Sequence, residues 1–345
     1  MSQIIFIVIL RFFLKVNIPS KKYYDRVMRL LIGFLCGFIM IFDIAAQQDP
    51  QYSHYMFNQM AVNPGYAGSH EVICATVVHR QQWVGIEGAP ITPVFTVTAP
   101  FKMLKQSHGV GLTVMSDRIG FHTDVSAGLA YALQLPLKFG SGKVGIGLSG
   151  TFLNKALSAT WKIPGGSPEN DPSIPNPNES VMGIDMGLGV YYRAEKVYLG
   201  LSSTHLLEPT LRYEEEGIKK PKHKLKRHYY AMTGCTLPLN NPAWEFAPSM
   251  MVISDGTASQ FTANVNVLYN KKVWGGMGYR LNDAVIAMIG VDLFGGLKIG
   301  YAFDYTYTGL NKYFSSGGSH EVMVNYCFSL VRERAVKKYK SVRFL

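Results

Sequence analysis

The chain has 345 residues, 48% of them hydrophobic and 17% charged, with a formal charge of +11. A mean hydropathy of +0.07 argues against a bundle of membrane helices, and four cysteines without a C-x-x-C pair or a Cys/His cluster argue against a metal site or a cofactor held by thiolates. Residues 1–46 hold six Lys/Arg and two Asp/Glu, which leaves 28 basic against 21 acidic residues, a net +7 that gives weak support for an acidic partner or anionic lipid headgroups.

Residues 1–27 read as an overlong start. Their apolar run, Ile4 to Leu14, spans eleven residues and contains Arg11, well short of the roughly 20 that a membrane helix needs. From Met28 the pattern is that of a secretory signal: Arg29 is basic, Leu30 to Ile44 is apolar apart from Asp43, and Ala45-Ala46 supplies small residues before a cut after Ala46. Cys36 is not read as a lipid anchor, because Gly33-Phe34-Leu35 ahead of it lacks the small residue of a lipoprotein cleavage site. The remaining 299 residues suit one large domain with no Pro/Ser-rich linker. Cys74, Cys235 and Cys327 remain, an odd number that rules out complete pairing, and they are read as packed thiols.

In residues 47–71 the stretch Asn63-Pro64-Gly65-Tyr66-Ala67-Gly68 reads as a turn. Pro64 fixes φ, Gly65 and Gly68 permit positive φ, and Tyr66 supplies a large anchor. Two readings stand side by side: a plug tucked into a barrel, and a simple turn that orients the first strand.

Period-two alternation then dominates. Val144, Ile146 and Leu148 interleave with Gly145, Gly147 and Ser149; Met182, Ile184, Met186, Leu188 and Val190 with Gly183, Asp185, Gly187 and Gly189; Val265 and Val267 with Asn264 and Asn266. Each run has one apolar face and one small or polar face. Fourteen strands are predicted, at 72–80, 91–100, 108–117, 122–134, 143–154, 181–192, 196–204, 228–238, 243–253, 259–269, 272–280, 283–292, 296–306 and 318–330. Most reach the roughly 9 to 11 residues of a tilted membrane strand rather than the roughly 5 to 6 of a soluble sheet. Long connections at 155–180, 205–227 and 307–317 alternate with short ones at 193–195, 239–242, 270–271 and 293–295. The expectation is an all-β transmembrane outer-membrane barrel over 72–330, with long loops outside, both termini periplasmic and a basic tail at 331–345. The 20 Tyr and 19 Phe suit interfacial girdles, and the 34 Gly suit close strand packing and an uncluttered lumen.

Gln47-Gln48-Asp49-Pro50-Gln51-Tyr52-Ser53-His54-Tyr55-Met56-Phe57-Asn58, followed by Asn63-Pro64-Gly65-Tyr66-Ala67-Gly68, Arg80-Gln81-Gln82-Trp83, Gly88-Ala89-Pro90-Ile91-Thr92 and Asp117-Arg118-Ile119-Gly120, resembles the signature of the PorP/SprF family, outer-membrane proteins of type IX secretion and gliding systems. The resemblance implies a FadL-like barrel without enzymatic activity. It also implies partners: secreted proteins with a type IX C-terminal domain at the cell surface, and periplasmic secretion or gliding components, a peptidoglycan-binding lipoprotein among them. Gly65 departs from the Ala more common in the family, a change not expected to disturb the turn. The competing class is a passive channel or uptake barrel for small or apolar solutes, which the same strands would support.

Other motifs take plainer readings. Gly145 to Gly150 matches a dinucleotide fingerprint in letters but opens no helix. The nine histidines are scattered, and no metal or cofactor is expected. Asp185, Asp304 and Glu321 are read as lumen carboxylates bonded to neighbouring strands. Arg80, Gln82 and Trp83 are read as a rim girdle at the outer end of strand one. The partner-binding candidates are Trp161 in the first long loop, with Tyr213, Lys219, Lys220 and Lys222 in the second; nucleic acid is not expected, because Glu214, Glu215 and Glu216 partly cancel that basic run.

Overall fold

The computed structural model describes residues 49–137, 142–157, 179–212, 222–309 and 317–329. The signal region, the basic tail and most of the two longest connections lie outside them. Fourteen antiparallel strands follow one another around a closed barrel. They are β1 (Ile73–Gln81), β2 (Ile91–Met103), β3 (Gln106–Ile119), β4 (His122–Pro136), β5 (Lys143–Leu157), β6 (Glu179–Arg193) and β7 (Val197–Thr204) in the first half. The second half comprises β8 (His228–Cys235), β9 (Trp244–Ser254), β10 (Ser259–Tyr269), β11 (Val273–Arg280), β12 (Ala284–Asp292), β13 (Leu297–Thr306) and β14 (Ser319–Phe328). The seam closes where β1 pairs with β14, from Ile73↔Phe328 to Gln81↔His320. No described helix is long and apolar enough to cross a membrane.

Alternation explains the wall. Leu148, Phe152, Ile184 and Ile289 stand outward at 52%, 65%, 58% and 60% exposure, whereas Thr76, Thr96, Thr262, Asn264 and Asn266 are buried on the inner face. A sheet closed in this way leaves no unpaired edge, which is what a strand needs in hydrocarbon. Strands β3 to β6 run 14 or 15 residues, longer than the alternation predicts. Backbone pairing needs only a neighbour, so the ladder continues past the last lipid-facing residue, as at His122↔Leu157 and Leu157↔Glu179. Where one strand is predicted over 228–238, pairing breaks after Cys235 and resumes at Leu237–Pro238; Pro238 has no N–H to extend the ladder. Short turns carry the backbone that tight hairpins demand, with Leu104, Lys105, Asn270 and Lys271 all at positive φ. Within the second long connection, Thr210–Arg212 and Lys222–Lys224 form a small ribbon that the sequence reading leaves as loop.

The cysteine reading needs correction. Cys74 and Cys327 face each other across the seam and form a disulfide, which leaves Cys235 as the free thiol among the described residues. The spacing of 253 residues gives no hint of this pairing, since it depends on closing the barrel.

Residues 49–70 lie inside the barrel, because they touch strands all around its circumference. Asn58 accepts from Thr96 on β2, Gln134 on β4 donates to the carbonyl of Ala67, Tyr191 on β6 bonds Gln59, and Tyr55 donates to Ser249 on β9. Two short 3-10 turns, Gln59–Ala61 and Pro64–Tyr66, fold the segment. Only Gly68 has positive φ, at 70°. Gly65 serves a different need: a Cβ there would sit 2.8 Å from the carbonyl oxygens of Gly145 and Gly189. The strand glycines are the matching half of this contact, since a Cβ on Gly147 would lie 2.4 Å from the Pro64 carbonyl. Glycine in these strands therefore makes room for the inner segment rather than for an open lumen. The segment runs the height of the barrel. His70 and Glu71 meet Arg193 and Lys143 at the short-turn end, while Asp49 meets His205 and Tyr230 at the long-connection end. The first described residue thus lies at the end opposite that at which β1 begins; the expected mature start at Gln47 and the basic tail lie outside the described residues.

Candidate functional site

Two clusters hold the inner segment at the long-connection end. In the first, Arg80 of β1 donates to Asp304 of β13 at 2.7 Å and to Glu321 of β14 at 3.0 Å, and Arg280 of β11 donates to the same Asp304 at 2.8 Å. All four side chains are at most 1% exposed. Two guanidinium ions balance two carboxylates, which is the condition for keeping them charged without water. The carboxylates then take the inner segment. Ser53 donates through Oγ to Asp304 at 2.7 Å and through its N–H to Glu321 at 2.8 Å, and the His54 N–H donates to Glu321 at 2.7 Å. The rim-girdle reading of Arg80 is therefore overturned: position 80 falls on the inward face of β1, between Val78 and the end of the strand, and its guanidinium is 1% exposed.

The second cluster surrounds Asp49. His205, just past β7, meets Asp49 Oδ1 through Nε2 at 2.9 Å and Asp185 of β6 through Nδ1. His228, the first residue of β8, places Nδ1 3.8 Å from Asp49 Oδ2, and Tyr230 donates to that oxygen at 2.5 Å. Burial alone would push the Asp49 carboxyl up, but the two imidazoles outweigh it and hold the group well below the usual carboxylate range. For His205, burial opposes protonation, yet the carboxylates of Asp49 and Asp185 raise its pKa to about 10. A cavity of about 160 Å³ opens beside this cluster, between the inner segment and β3 to β6, and Asp117, Asp124, Lys155 and Asp185 contribute to its lining.

The sequence signature separates into two groups. Asn63, Pro64, Tyr66 and Gly68 belong to the inner segment. Asn63 accepts from Gly65 N and donates to the carbonyls of Val190 and Leu201, Tyr66 stands edge-on to Tyr191 at 5.1 Å, and Gly68 donates to Thr98. Gln82, Trp83, Pro90, Asp117 and Gly120 shape the rim of β1 to β4. The N–H of Gln82 bonds the Pro90 carbonyl, that of Trp83 bonds Ser319, that of Gly120 bonds the Gly88 carbonyl, and Asp117 accepts from Thr92 at 2.5 Å. Arg80 joins the groups through Ser53. Trp161, Tyr213, Lys219 and Lys220 lie outside the described residues, and Lys222 pairs through its backbone with Arg212 in the ribbon. Asp185, Asp304 and Glu321 do face the lumen as lumen carboxylates, but their partners include the inner segment and its neighbours. Nothing in the sequence marks Ser53, His54, Asp49, His205 or His228 as a group, since the barrel alone brings them together.

The arrangement is that of an outer-membrane-type β-barrel whose own N-terminal segment occupies the lumen. Residues 44–326 match the model of the type IX secretion system membrane protein PorP/SprF, and the chain belongs to that family. No curated protein matches the sequence. Similar solved structures include the monoaromatic hydrocarbon channel CymD, at 10% identity and a TM-score of 0.45 over 84% of this chain and 95% of that one. The Pseudomonas putida toluene transporter TodX follows at 10% and 0.40 over 78% and 93%. The Acinetobacter baumannii outer membrane protein Omp33 stands at 7% and 0.41 over 75% and 99%. What each of those proteins carries is a property of that protein.

Proposed function

We propose that the chain is a non-enzymatic attachment barrel of type IX secretion, embedded in the outer membrane with its long connections outward. The outer loops receive the C-terminal domain of an exported protein, and the short-turn face meets periplasmic components of the machinery. Family membership supports the secretion role. The observation that carries the attachment reading is the inner segment, held at one end by Ser53 and His54 donating to the buried, ion-paired carboxylates of Asp304 and Glu321 and at the other by the Glu71–Lys143 pair that follows it. A filled lumen gives outer loops a rigid base and costs less ordering on partner binding. Trp161 among the prolines of its loop supplies an aromatic anchor of the kind that dominates interfaces. The second reading, a solute channel, draws on the cavity beside Asp49 and requires the inner segment to move.

Affinity recovery from solubilised outer membranes separates the two. An attachment barrel brings down a secretion component and an exported surface protein, and deleting 162–178 abolishes surface attachment while the barrel stays heat-modifiable. If the barrel is recovered alone and the deletion alters only solute uptake, the channel reading replaces this one.

A further inference from the structure

The Asp49 cluster has the composition and spacing of a metal centre. Asp49, His205 and His228 each place a ligating atom within 4.8 Å of the others. On the His205 side the ligating pair is Nε2 and Asp49 Oδ1, 2.9 Å apart; on the other side the ligating atom is Nε2 of His228, because its Nδ1 is taken by a backbone carbonyl. The outer partners are also in place. Nδ1 of His205 meets the Asp185 carboxylate, and Nδ1 of His228 lies 2.9 Å from the Lys226 carbonyl. A carboxylate or carbonyl on the second nitrogen is the usual way a ligating imidazole is oriented.

An independent observation points to a ligand. The His228 side chain is fully buried, and its Nε2 has no hydrogen-bond partner. A buried polar atom left unsatisfied costs roughly 1–3 kcal/mol, a cost that coordination to a cation in this cluster can remove. Imidazole with carboxylate selects Zn²⁺ or a neighbouring transition metal over Mg²⁺ or Ca²⁺, which prefer all-oxygen sites.

The geometry points to a Zn²⁺-type site formed by Asp49, His205 and His228, oriented by Asp185 and the Lys226 carbonyl, which ties the start of the inner segment to the β7–β8 wall. Three protein ligands leave a fourth position open toward water. The site is independent of the attachment reading, since it would hold the segment equally well in a channel.

The test uses the full-length barrel purified in detergent, stripped with a chelator and titrated with Zn²⁺ against a chromophoric chelator. The expected result is one Zn²⁺ per chain. His205→Gln and His228→Gln should each weaken binding at least about tenfold, and Asp185→Asn about 10- to 100-fold. His79→Gln, on the exposed outer face of β1, should change nothing. Heat-modified gel mobility establishes that each variant is folded. Should a histidine variant not fold, Co²⁺ added to the stripped wild-type barrel decides: an intense four- or five-coordinate visible spectrum supports the site, and a weak octahedral one overturns it. Failure of the wild-type barrel to take up Zn²⁺, or equal uptake by folded His205→Gln and His79→Gln variants, also overturns the proposal.

Discussion

At Arg80 one guanidinium reaches Asp304, Glu321 and Ser53 together. Its removal leaves two buried carboxylates short of a cation, and breaking a buried pair from one side costs about 3–5 kcal/mol. Arg80→Ala should therefore lower the unfolding free energy from urea denaturation by that order, with a lower midpoint, and Arg80→Lys should recover only part, because an ammonium cannot present a planar fork to two acceptors. An unchanged midpoint for Arg80→Ala would return Arg80 to the rim. Gly65 offers a second single-residue test. The family's commoner alanine would bring a Cβ to 2.8 Å from two backbone oxygens in this chain, so Gly65→Ala should destabilise by about 1–3 kcal/mol, measured in the same denaturation. The sequence shows that both positions belong to a signature, but not why. The partners of Arg80 lie 224 and 241 residues away, and a glycine chosen for close approach looks the same in letters as one chosen for positive φ.

Among the elements, the strands were the most legible part, because lipid on one side and a packed lumen on the other impose period two on each of them. All fourteen predicted strands are present, and the misplacements fall at strand ends and at Pro238, where pairing rather than burial sets the limit. Leu148, Met186 and Val265 are exposed on the outer face, so an arginine at any of them should destabilise the barrel by roughly 2–4 kcal/mol near the bilayer midplane. The inner face is less tolerant than an open lumen would be. Gly147 abuts Pro64, and Asn264 is 1% exposed and donates to the Ser53 carbonyl. Gly147→Arg should thus also impair folding, by displacing the inner segment, and that damage should disappear when residues 49–70 are removed, whereas damage from Leu148→Arg should persist. Heat-modified mobility of the four proteins distinguishes the two causes.

For the whole molecule, closure and occupancy of the barrel are the two features that strand patterns alone do not convey. The Cys74–Cys327 disulfide fastens β1 to β14 across 253 residues of chain. The chain-entropy account gives such a link an upper contribution of about 5 kcal/mol. Cys74→Ser should lower the unfolding temperature and abolish the reductant-dependent shift in gel mobility, while Cys235→Ser leaves both unchanged. Occupancy follows from the inner segment, whose two alternative readings, plug and simple turn, only the circumferential contacts separate. Conductance across a planar bilayer tests it most directly. The wild-type barrel should remain closed, and a variant lacking residues 49–70 should show steady stepwise conductance. A wild-type barrel that conducts as freely as the deletion variant would contradict a lumen filled by its own N-terminal segment.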